Sequence, residues 1–544
     1  MSTNNNWWKG AVLYEIYPRS FKDNNGDGTG DLKGIIEKLE YVAALGVDGI
    51  WITPFFKSPM KDGGYDVASY RDVDPIFGDM DDFVALRTRA HELGLKVMID
   101  LVLCHTSNEH IWFKESRQNK TNQKHDWYYW ADAKEDGTPP NNWLAYFGGS
   151  AWHWDTRRQQ YYLASFSKEQ PSLNLWNREV KDAILDTAKF WIDLKVDGFR
   201  LDAVQQILPD IQLRDNPVRE SHHPTDLDID ISNPFAKQWR EYSQTQKKEV
   251  LEFIREFRNM ADTHGDIALL AEAGGDNSLE DTIFYAQGKD RFHLSYCYGF
   301  TYMDITKENV ERTIEKFESR MGDSWMCWAM GSHDAPRIVS RFPQQDPATQ
   351  KDRACLGIAL ALSLRGSYCM YQGEELGLEQ ANVAYEDMQD IFGLMFYPEF
   401  KGRDGCRTPI PWERDAHNAG FSAEGKPWLP VYEPHHKWAV DAQEEDPTSV
   451  LHFARAFLAC RKNTPALKFG DIGILETPDN IIAFTRSDAT TTLLCVFNAG
   501  DAEVKWGIPG SFQPLDTVPR NNCAIKDNGV ILAPYGFCIL KLVK

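Results

Sequence analysis

Short apolar segments alternate with longer stretches of helical periodicity along most of this chain. The clearest helix is predicted over residues 32–45, because the apolar residues there recur at three- and four-residue spacing. The strand GIWITP follows at 49–54, then a helix around 80–94 and the strand LKVMIDLVLCH from Leu95. Repeated strand–loop–helix units indicate a parallel sheet, and over 544 residues they predict a closed barrel of the α/β class.

The alternation is interrupted once and then resumes. A first strand lies within AVLYEIYPRSF at 11–21, and further strands, predicted at 196–202, 267–272, 295–300, 325–330 and 367–371, bring the total to eight. The intervening helices are predicted at 177–195, 246–262, 307–320 and 350–364. From about residue 465 short alternating runs such as TTLLCVFNA predict a small antiparallel β domain.

These patterns divide the chain into domains. The predicted barrel occupies residues 1–104 and 176–460, and the β domain occupies 465–544. Residues 105–175 lack periodicity and are rich in Trp, Tyr, Asn and Gly, which predicts a lobe inserted after the third strand, over the barrel mouth. The long loops at 205–245 and 377–420 are expected to be functional, because loops of this length usually are.

The charge and the cysteines restrict the partners and the compartment. A net charge of −21 argues against binding to nucleic acid or to an anionic membrane and favours a small neutral ligand. The start MSTNNNWWKG has no signal-peptide pattern, and no apolar run reaches the length of a membrane span, so a cytoplasmic protein is expected. Ten cysteines without a CxxC pair indicate buried thiols.

The segment DNNGDGTGD resembles a cation-binding loop in its spacing. Asp23, Asn25, Asp27 and Asp31 fall on alternate positions, and the backbone carbonyl of Thr29 supplies the remaining one. Oxygen ligands at every second residue, with glycines between them, are typical of a loop that surrounds a hard divalent cation. The alternative is a polar, glycine-rich turn. The distance of this loop from the other motifs predicts a structural ion.

Four predicted strands finish with a carboxylate at or just beyond their carboxyl ends. In a barrel these ends converge on one face, so the four side chains are expected to meet there: Asp100, Asp202, Glu272 and Asp334. His105 and His333 accompany them, although either histidine alone would more often be a core or capping residue. Converging carboxylates without transition-metal spacing point to acid–base and nucleophilic chemistry on a glycosidic bond.

The stretch VDGFRLDAV at 196–204 carries the strongest chemical pattern. Arg200 and Asp202 share one face of the strand, so the guanidinium is expected to hold the carboxylate ionised, as a nucleophile requires. A structural Arg–Asp pair is the alternative. Glu272 lies in a less charged local sequence that favours its protonated form. A retaining glycosidase uses such a pair, with the carboxyl groups about 5–5.5 Å apart.

From WWKGAVLYEIYPRSF through CRTPIPW to the C-terminal domain, the chain resembles the α-amylase superfamily, glycoside hydrolase family 13, in its α-glucosidase and oligo-1,6-glucosidase branch. The resemblance implies a (β/α)8 TIM barrel, an inserted lobe after the third strand and a C-terminal antiparallel β-sandwich. It implies that Asp202 is the nucleophile, Glu272 the general acid/base and Asp334 the carboxylate that binds the sugar hydroxyls. The implied pocket for the terminal glucose consists of Asp62, Tyr65, His105, Phe166, Arg200, His333 and Arg407.

The resemblance also bears on ligands and mode of action. The branch carries the cation loop, with calcium or magnesium left open, and it needs no organic cofactor. Arg407 and Asp62 would together clamp the non-reducing end of the sugar, which makes the site a blind pocket and implies exo-action on short α-glucosides. A monomer or a homodimer is expected.

Four positions depart from the family pattern. Cys104 and Ser332 stand where an Asn is usual, Ser172 stands where the oligo-1,6-glucosidases have Asp, and Glu15 replaces a usual Gln. The first two could loosen hydrogen bonds behind the pocket, and Ser172 weakens the likeness to the oligo-1,6-glucosidases.

Ala203, directly after the nucleophile, favours α-1,4 linkages, since members resembling α-1,6-specific enzymes carry Val there. The leading hypothesis is therefore an exo-acting retaining α-glucosidase with transglucosylation activity. The alternatives are a trehalose- or isomaltulose-forming isomerase on the same scaffold and a non-catalytic protein with the amylase fold.

Overall fold

Eight parallel strands close into a barrel at the centre of the molecule. The computed structural model describes residues 6–219, 238–276, 278–322, 324–478, 480–515, 517–519, 521–526 and 529–543. The barrel strands, β1 to β8, are Val12–Ile16, Gly49–Ile52, Lys96–Val102, Gly198–Asp202, Ala268–Glu272, Leu294–Cys297, Cys327–Ala329 and Ser367–Tyr371. Each pairs with the next in chain order, and β1 pairs with β8 to complete the closure. The predicted closed barrel is confirmed.

A helix follows each barrel strand. The eight helices, α1 to α8, are Leu32–Leu45, Met80–Glu92, Arg178–Asp193, Lys247–Thr263, Ser278–Ala286, Lys307–Met321, Gln350–Ser363 and Val450–Asn463. The predicted helix at 32–45 is confirmed at both ends: the Asp31 carboxylate accepts a hydrogen bond from the Gly34 amide, and Gly46 ends the helix in the left-handed conformation, with φ 93°. The sequence did not predict α5 or α8.

The two faces of the barrel strands carry different residues. On β4, Phe199 and Leu201 point outward and join the large apolar core between the strands and the helices. Arg200 and Asp202 point inward, so the predicted sharing of one face is confirmed. The barrel interior is apolar where it is lined by Leu13, Trp51 and other residues of a second apolar cluster. Charged side chains take over near the carboxyl ends of the strands.

Residues 105–175 form an extension between β3 and α3. It contains the short helix Ile111–Ser116 and a three-stranded antiparallel sheet of Trp130–Ala131, Trp152–Asp155 and Gln160–Leu163. Its own apolar cluster includes Trp143, Trp152 and Leu163. The predicted long loop at 205–245 follows β4, and its residues 220–237 lie outside the described part of the chain.

The C-terminal domain is an antiparallel sheet. Its strands, β9 to β15, are Asp471–Ile474, Ile481–Ser487, Thr492–Asn498, Val504–Gly507, Phe512–Pro514, Asn521–Lys526 and Gly529–Leu542. The long strand β15 pairs with β11 and β13 towards its carboxyl end and with β12 and β14 towards its start. The antiparallel domain predicted from the sequence is thus confirmed, with all its strands joined in one hydrogen-bonded sheet.

Two further sequence predictions can be compared with the fold. Among the described residues, no helix combines the length and the apolar character that crossing a bilayer requires. All ten cysteines are described and none is in a disulfide; nine are buried and Cys523 is half-buried. The prediction of buried thiols without a disulfide framework is confirmed for the nine buried cysteines.

Candidate active site

A cavity of about 490 Å³ opens at the carboxyl ends of the barrel strands. Seven of the ten sequence-predicted catalytic and sugar-binding residues line it: Asp62, Tyr65, His105, Phe166, Asp202, Glu272 and Asp334. The other three, Arg200, His333 and Arg407, lie directly behind these and contact them. The fold therefore brings together residues that are up to 345 positions apart in the sequence, from Asp62 to Arg407.

Arg200 is the charged centre of the cavity floor. Its guanidinium lies 2.7 Å from Asp100, 2.6 Å from Asp202 and 2.7 Å from Glu272, on three neighbouring strands. The Arg200 side chain is only 1% exposed, so these contacts are almost free of solvent screening. Asp202 and Glu272 also share a hydrogen bond, and the Ala203 amide donates to Glu272 at 2.8 Å. The two proposed reacting carboxyls thus face each other across one guanidinium.

The protonation states of Asp202 and Glu272 have a different physical cause from the one inferred from the sequence. Burial raises the pKa of Asp202 to about 7, and Arg200 only partly opposes it. Burial likewise raises the pKa of Glu272 to about 8. The expectation that Arg200 alone keeps Asp202 ionised was incomplete, because three carboxylates compete for one guanidinium. The expectation of a less charged setting for Glu272 was wrong, because Glu272 contacts Arg200 directly.

Burial thus brings the pKa values of both groups close to neutrality. Because the two carboxyls share a hydrogen bond, they titrate as a pair that keeps one proton between them near pH 7. The Tyr298 hydroxyl also hydrogen-bonds Glu272 and fixes its carboxyl group. Near neutral pH the pair therefore offers one carboxylate and one carboxylic acid, as double displacement at a glycosidic carbon requires.

Asp334 lies in the opposite electrostatic setting. Burial alone would raise its pKa, but His333, Arg403 and Arg407 hold the pKa of Asp334 well below its usual range. Arg407 lies 2.5 Å and Arg403 3.1 Å from the same carboxylate oxygen. The Ser332 hydroxyl accepts a hydrogen bond from the Asp334 amide at 3.1 Å, so this departure from the family pattern helps to hold the turn. Asp334 is thus a fixed anion beside the reacting pair.

Asp62, expected from the resemblance to clamp the sugar end together with Arg407, pairs with Arg403 at 2.8 Å, and Arg403 also contacts Asp390 at 2.6 Å. Arg403 was not among the residues predicted from the sequence. Arg403 lines the main cavity, whereas Arg407 faces a smaller neighbouring one and donates to the His333 carbonyl at 2.6 Å. The segment GRDGCRTP contains both arginines, four positions apart, and its pattern did not distinguish them.

The structure explains why a glutamate occupies position 15. It lies on β1, is fully buried, and its Oε1 is 2.5 Å from His333 Nδ1. Burial raises the pKa of Glu15 well above its usual value and lowers the pKa of His333 to about 3. A protonated Glu15 that donates to a neutral His333 leaves the ring proton on Nε2, which is 2.7 Å from the Tyr65 hydroxyl. Sequence reasoning had no account of this residue.

The extension formed by residues 105–175 contributes one wall of the cavity, which includes the aromatic ring of Phe166. Phe166 stacks on Tyr146 with 5.2 Å between ring centroids and lies 5.2 Å from the ring of His105. Gln170 donates to Asp62 at 2.9 Å and so ties the segment to the floor of the pocket. The Ser172 hydroxyl lies 3.2 Å from the Ser165 hydroxyl and accepts a hydrogen bond from the Ser165 amide at 3.3 Å.

The predicted cation loop connects β1 to α1, outside the main cavity. The Asp23 carboxylate accepts hydrogen bonds from the amides of Gly26 and Gly28, at 2.7 and 2.8 Å. Asp31 accepts from Gly34 and Asn24. Both carboxylates are buried, and among the described residues neither forms an ion pair within 4 Å. Two buried carboxylates without a cationic partner, in a loop of oxygen donors, fit a hard divalent cation.

Removing Arg200 tests its role as the counter-ion. In Arg200→Met three buried carboxylates lose their shared cation, so we expect the free energy of unfolding at pH 7 to fall by about 3–5 kcal/mol. The loss should shrink at pH 5. Without the guanidinium the folded-state pKa values of the three carboxyls rise further. At low pH these carboxyls are protonated and need no counter-ion, so the variant loses stability only as the pH rises and they must ionise. Denaturant unfolding at both pH values measures this loss of stability.

The matched control is Arg89→Met, which removes an exposed pair with Glu40 and should change stability little. Equal losses of stability in the two variants would contradict the prediction.

Comparison with known proteins shows the family of this chain. The family described as "Alpha amylase, catalytic domain" matches residues 15–470. The chain is 48% identical to a probable alpha-glucosidase of Rhizobium meliloti (strain 1021), over 94% of this chain and 92% of the relative. It is 35% identical to an oligo-1,6-glucosidase of Parageobacillus thermoglucosidasius, over 92% of each chain.

Solved structures share the whole fold. The alpha-glucosyl transfer enzyme XgtA superposes with a TM-score of 0.94, at 47% identity and with 99% of each chain covered. An isomaltulose synthase from Erwinia rhapontici NX5 superposes with a TM-score of 0.89, at 31% identity and 99% coverage of each. The chain therefore belongs to the α-amylase superfamily, in its α-glucosidase and oligo-1,6-glucosidase branch, and is a glycoside hydrolase.

Proposed function

We propose that this glycoside hydrolase is an exo-acting, retaining α-glucosidase that releases α-glucose from the non-reducing end of short α-glucosides and also transfers glucose to acceptors. The observation that carries the proposal is the pair of Asp202 and Glu272, joined through Arg200 on the floor of one cavity. The ion pair between Asp62 and Arg403 lies beside Asp334 in the cavity lining and supports exo-action, because a sugar chain cannot extend through it.

The proposed reaction proceeds in two displacements. The Asp202 carboxylate attacks the anomeric carbon while Glu272 gives its proton to the leaving oxygen, which produces a covalent glucosyl-enzyme. Glu272, now ionised, takes a proton from water, which attacks the same carbon and releases glucose with retained configuration. Asp334 remains an anion throughout and accepts hydrogen bonds from sugar hydroxyls as the ring flattens. The aromatic face of Phe166 packs against the sugar ring.

Transfer competes with hydrolysis at the second step. A sugar or alcohol in the outer cavity can intercept the glucosyl-enzyme in place of water. The similarity to XgtA, described as an alpha-glucosyl transfer enzyme, supports this part of the proposal. The similarity to isomaltulose synthase supports a second candidate, an isomerase that returns the glucose to the released sugar. Free glucose that appears in step with the loss of substrate separates the glucosidase from the isomerase.

Replacing the two carboxyls tests their roles separately. Asp202→Asn removes the nucleophile and should lower kcat/KM on maltose by about 10³-fold or more. Glu272→Gln removes the proton donor and should cost about 10²–10⁴-fold on maltose. The second variant should lose less in the first step with 4-nitrophenyl α-glucoside, because that leaving group needs no proton. Initial rates and the burst of nitrophenol measure both effects.

The pH dependence of activity is a second test of Asp202 and Glu272. We expect a bell-shaped dependence of kcat/KM: activity falls below about pH 7 as Asp202 takes a proton and above about pH 8 as Glu272 loses its own. Glu272→Gln should flatten the alkaline limb. Asp132→Asn, at an exposed carboxylate of the inserted segment, is the control and should keep the wild-type profile. A substantially active Asp202→Asn protein would refute the assignment.

We also propose a preference for α-1,4 over α-1,6 linkages. Ala203 is buried beside the nucleophile and has a left-handed backbone, with φ 44°. A β-branched residue there adds bulk next to Asp202 and is strained in that conformation. Wild type should therefore cleave maltose faster than isomaltose, and Ala203→Val should shift the rate ratio towards isomaltose. The ratio of the two rates is the readout, because backbone strain destabilises the variant whichever substrate is used. A wild-type preference for isomaltose would contradict the proposal.

The loop at 23–31 is proposed to hold a structural calcium or magnesium ion. Asp23, Asn25, Asp27, Asp31 and the Thr29 carbonyl would supply oxygen ligands, and the ion would neutralise the two buried carboxylates. Chelation should lower the melting temperature of wild type and leave Asp27→Ala much less affected. Re-addition of Ca2+ or Mg2+ should restore the wild-type value, and the more effective ion identifies the natural one. A melting temperature that EDTA does not change would favour the plain polar turn.

We also propose a cytoplasmic location, because ten thiols outside any disulfide suit a reducing compartment. Small neutral α-glucosides are the proposed substrates. A monomer or a homodimer remains the prediction from the sequence.

A further inference from the structure

Three different ligand atoms meet at one edge of the cavity floor. The thiol of Cys104, a ring nitrogen of His105 and a carboxylate oxygen of Asp202 all lie within 4.8 Å of one another, and all three residues are buried. No other such group of three acidic, histidine or cysteine side chains occurs in the described part of the chain. His105 and Asp202 line the cavity, and Cys104 lies directly behind them.

The orientation of His105 prepares one nitrogen for a ligand role. Its Nε2 lies 3.1 Å from the Tyr65 carbonyl oxygen, an acceptor, and 3.1 Å from the Gln170 amide nitrogen, a donor. Nδ1 faces the Cys104 thiol at 3.1 Å. When Nε2 donates to the Tyr65 carbonyl, Nδ1 keeps its lone pair for a cation. A histidine that donates one N–H to a carbonyl and offers the other nitrogen is the usual arrangement at a protein metal site.

We propose that Cys104, His105 and Asp202 bind Zn2+ or a similar thiophilic divalent cation, which inhibits the enzyme reversibly. Sulfur, imidazole nitrogen and carboxylate oxygen together are ligands that zinc prefers, and a water molecule completes the tetrahedron. On binding, the Cys104 thiol releases its proton to solvent and the thiolate takes the cation; no electrons are transferred. This donor set differs from the oxygen-only loop at 23–31, so the two sites select different ions.

The surrounding charges favour a cation at this place. Asp100, Asp202 and Glu272 all contact the single guanidinium of Arg200, so carboxyl groups outnumber the fixed positive charge on the cavity floor. Arg200 contacts Oδ1 of Asp202, and a metal ligated by Asp202 would compete with Glu272 for this carboxylate. A divalent ion therefore gains attraction from several carboxylates in a buried setting where Coulomb interactions are strong.

The proposed consequence is competition with substrate. A cation held by Asp202 removes the carboxylate that would attack the sugar, and a bound glucose in turn blocks the route to the metal site. Zinc should thus raise the apparent KM and leave kcat unchanged. This kinetic reading rests on the proposed α-glucosidase activity, whereas the binding reading below does not.

The test compares wild type with Cys104→Ser, which keeps a hydroxyl donor near His105 and removes the thiolate. Titration of the wild-type protein with Cd2+ should produce the ultraviolet charge-transfer absorption of a cadmium–thiolate bond, and Cys104→Ser should lack it. Inhibition of maltose hydrolysis by Zn2+ should be about 10-fold or more weaker in the variant. Cys104→Ala should behave in the same way, should the serine variant fold poorly.

Cys523→Ser is the matched control, because Cys523 is the only one of the ten cysteines that is not buried. It should keep both the cadmium absorption and the wild-type sensitivity to zinc. Equal zinc sensitivity and equal cadmium absorption in wild type and Cys104→Ser would overturn the proposal. It would also be overturned if Cys523→Ser lost the absorption or the zinc sensitivity and Cys104→Ser kept both. A wild-type protein that shows the Cys104-dependent absorption but does not cleave maltose would refute the proposed function and leave the metal site standing.

Discussion

The interaction on which the rest of the active site depends is the contact of one buried arginine with three carboxyl groups. Arg200 cannot lose its proton, so burying it is tolerable only if anions surround it. Asp100, Asp202 and Glu272 supply them from three adjacent strands. Because parallel strands in a closed barrel fix the height of each residue, the strand register determines which carboxyls reach the guanidinium. The geometry of the reacting pair is thus a property of the barrel.

The same cavity contains carboxyls in two electrostatic settings, and the difference separates their roles. Asp202 and Glu272 share one arginine with Asp100, so burial prevails and their pKa values rise to about 7 and 8. Two guanidiniums, those of Arg403 and Arg407, contact one oxygen of Asp334, and the pKa of Asp334 falls. In the proposed mechanism the reacting pair, with Glu272 as the proton donor and Asp202 as the nucleophile, lies in the first setting, and Asp334, which only binds hydroxyls, lies in the second.

Much of the fold was predictable from the sequence, because its elements are long and regular. The apolar spacing of 32–45 predicts α1 to the residue, and all eight barrel strands were anticipated. The nine-residue helix α5 was missed because two turns leave little periodicity to detect. The convergence of Asp100, Asp202, Glu272 and Asp334 on one face followed from strand ends and barrel topology alone, while the roles of the sugar-binding residues came from the family resemblance.

The sequence by itself determined the alternation of strands and helices, the inward face of β4 and the carboxylates at the barrel rim, because each depends on residues close together in the chain. Only the tertiary structure decided that Arg403 pairs with Asp62, that Glu15 contacts His333 from 318 positions away, and that burial outweighs Arg200 at Asp202. These outcomes depend on which charges share a desolvated space. Periodicity carries no information about that space, since it forms only when distant segments pack together.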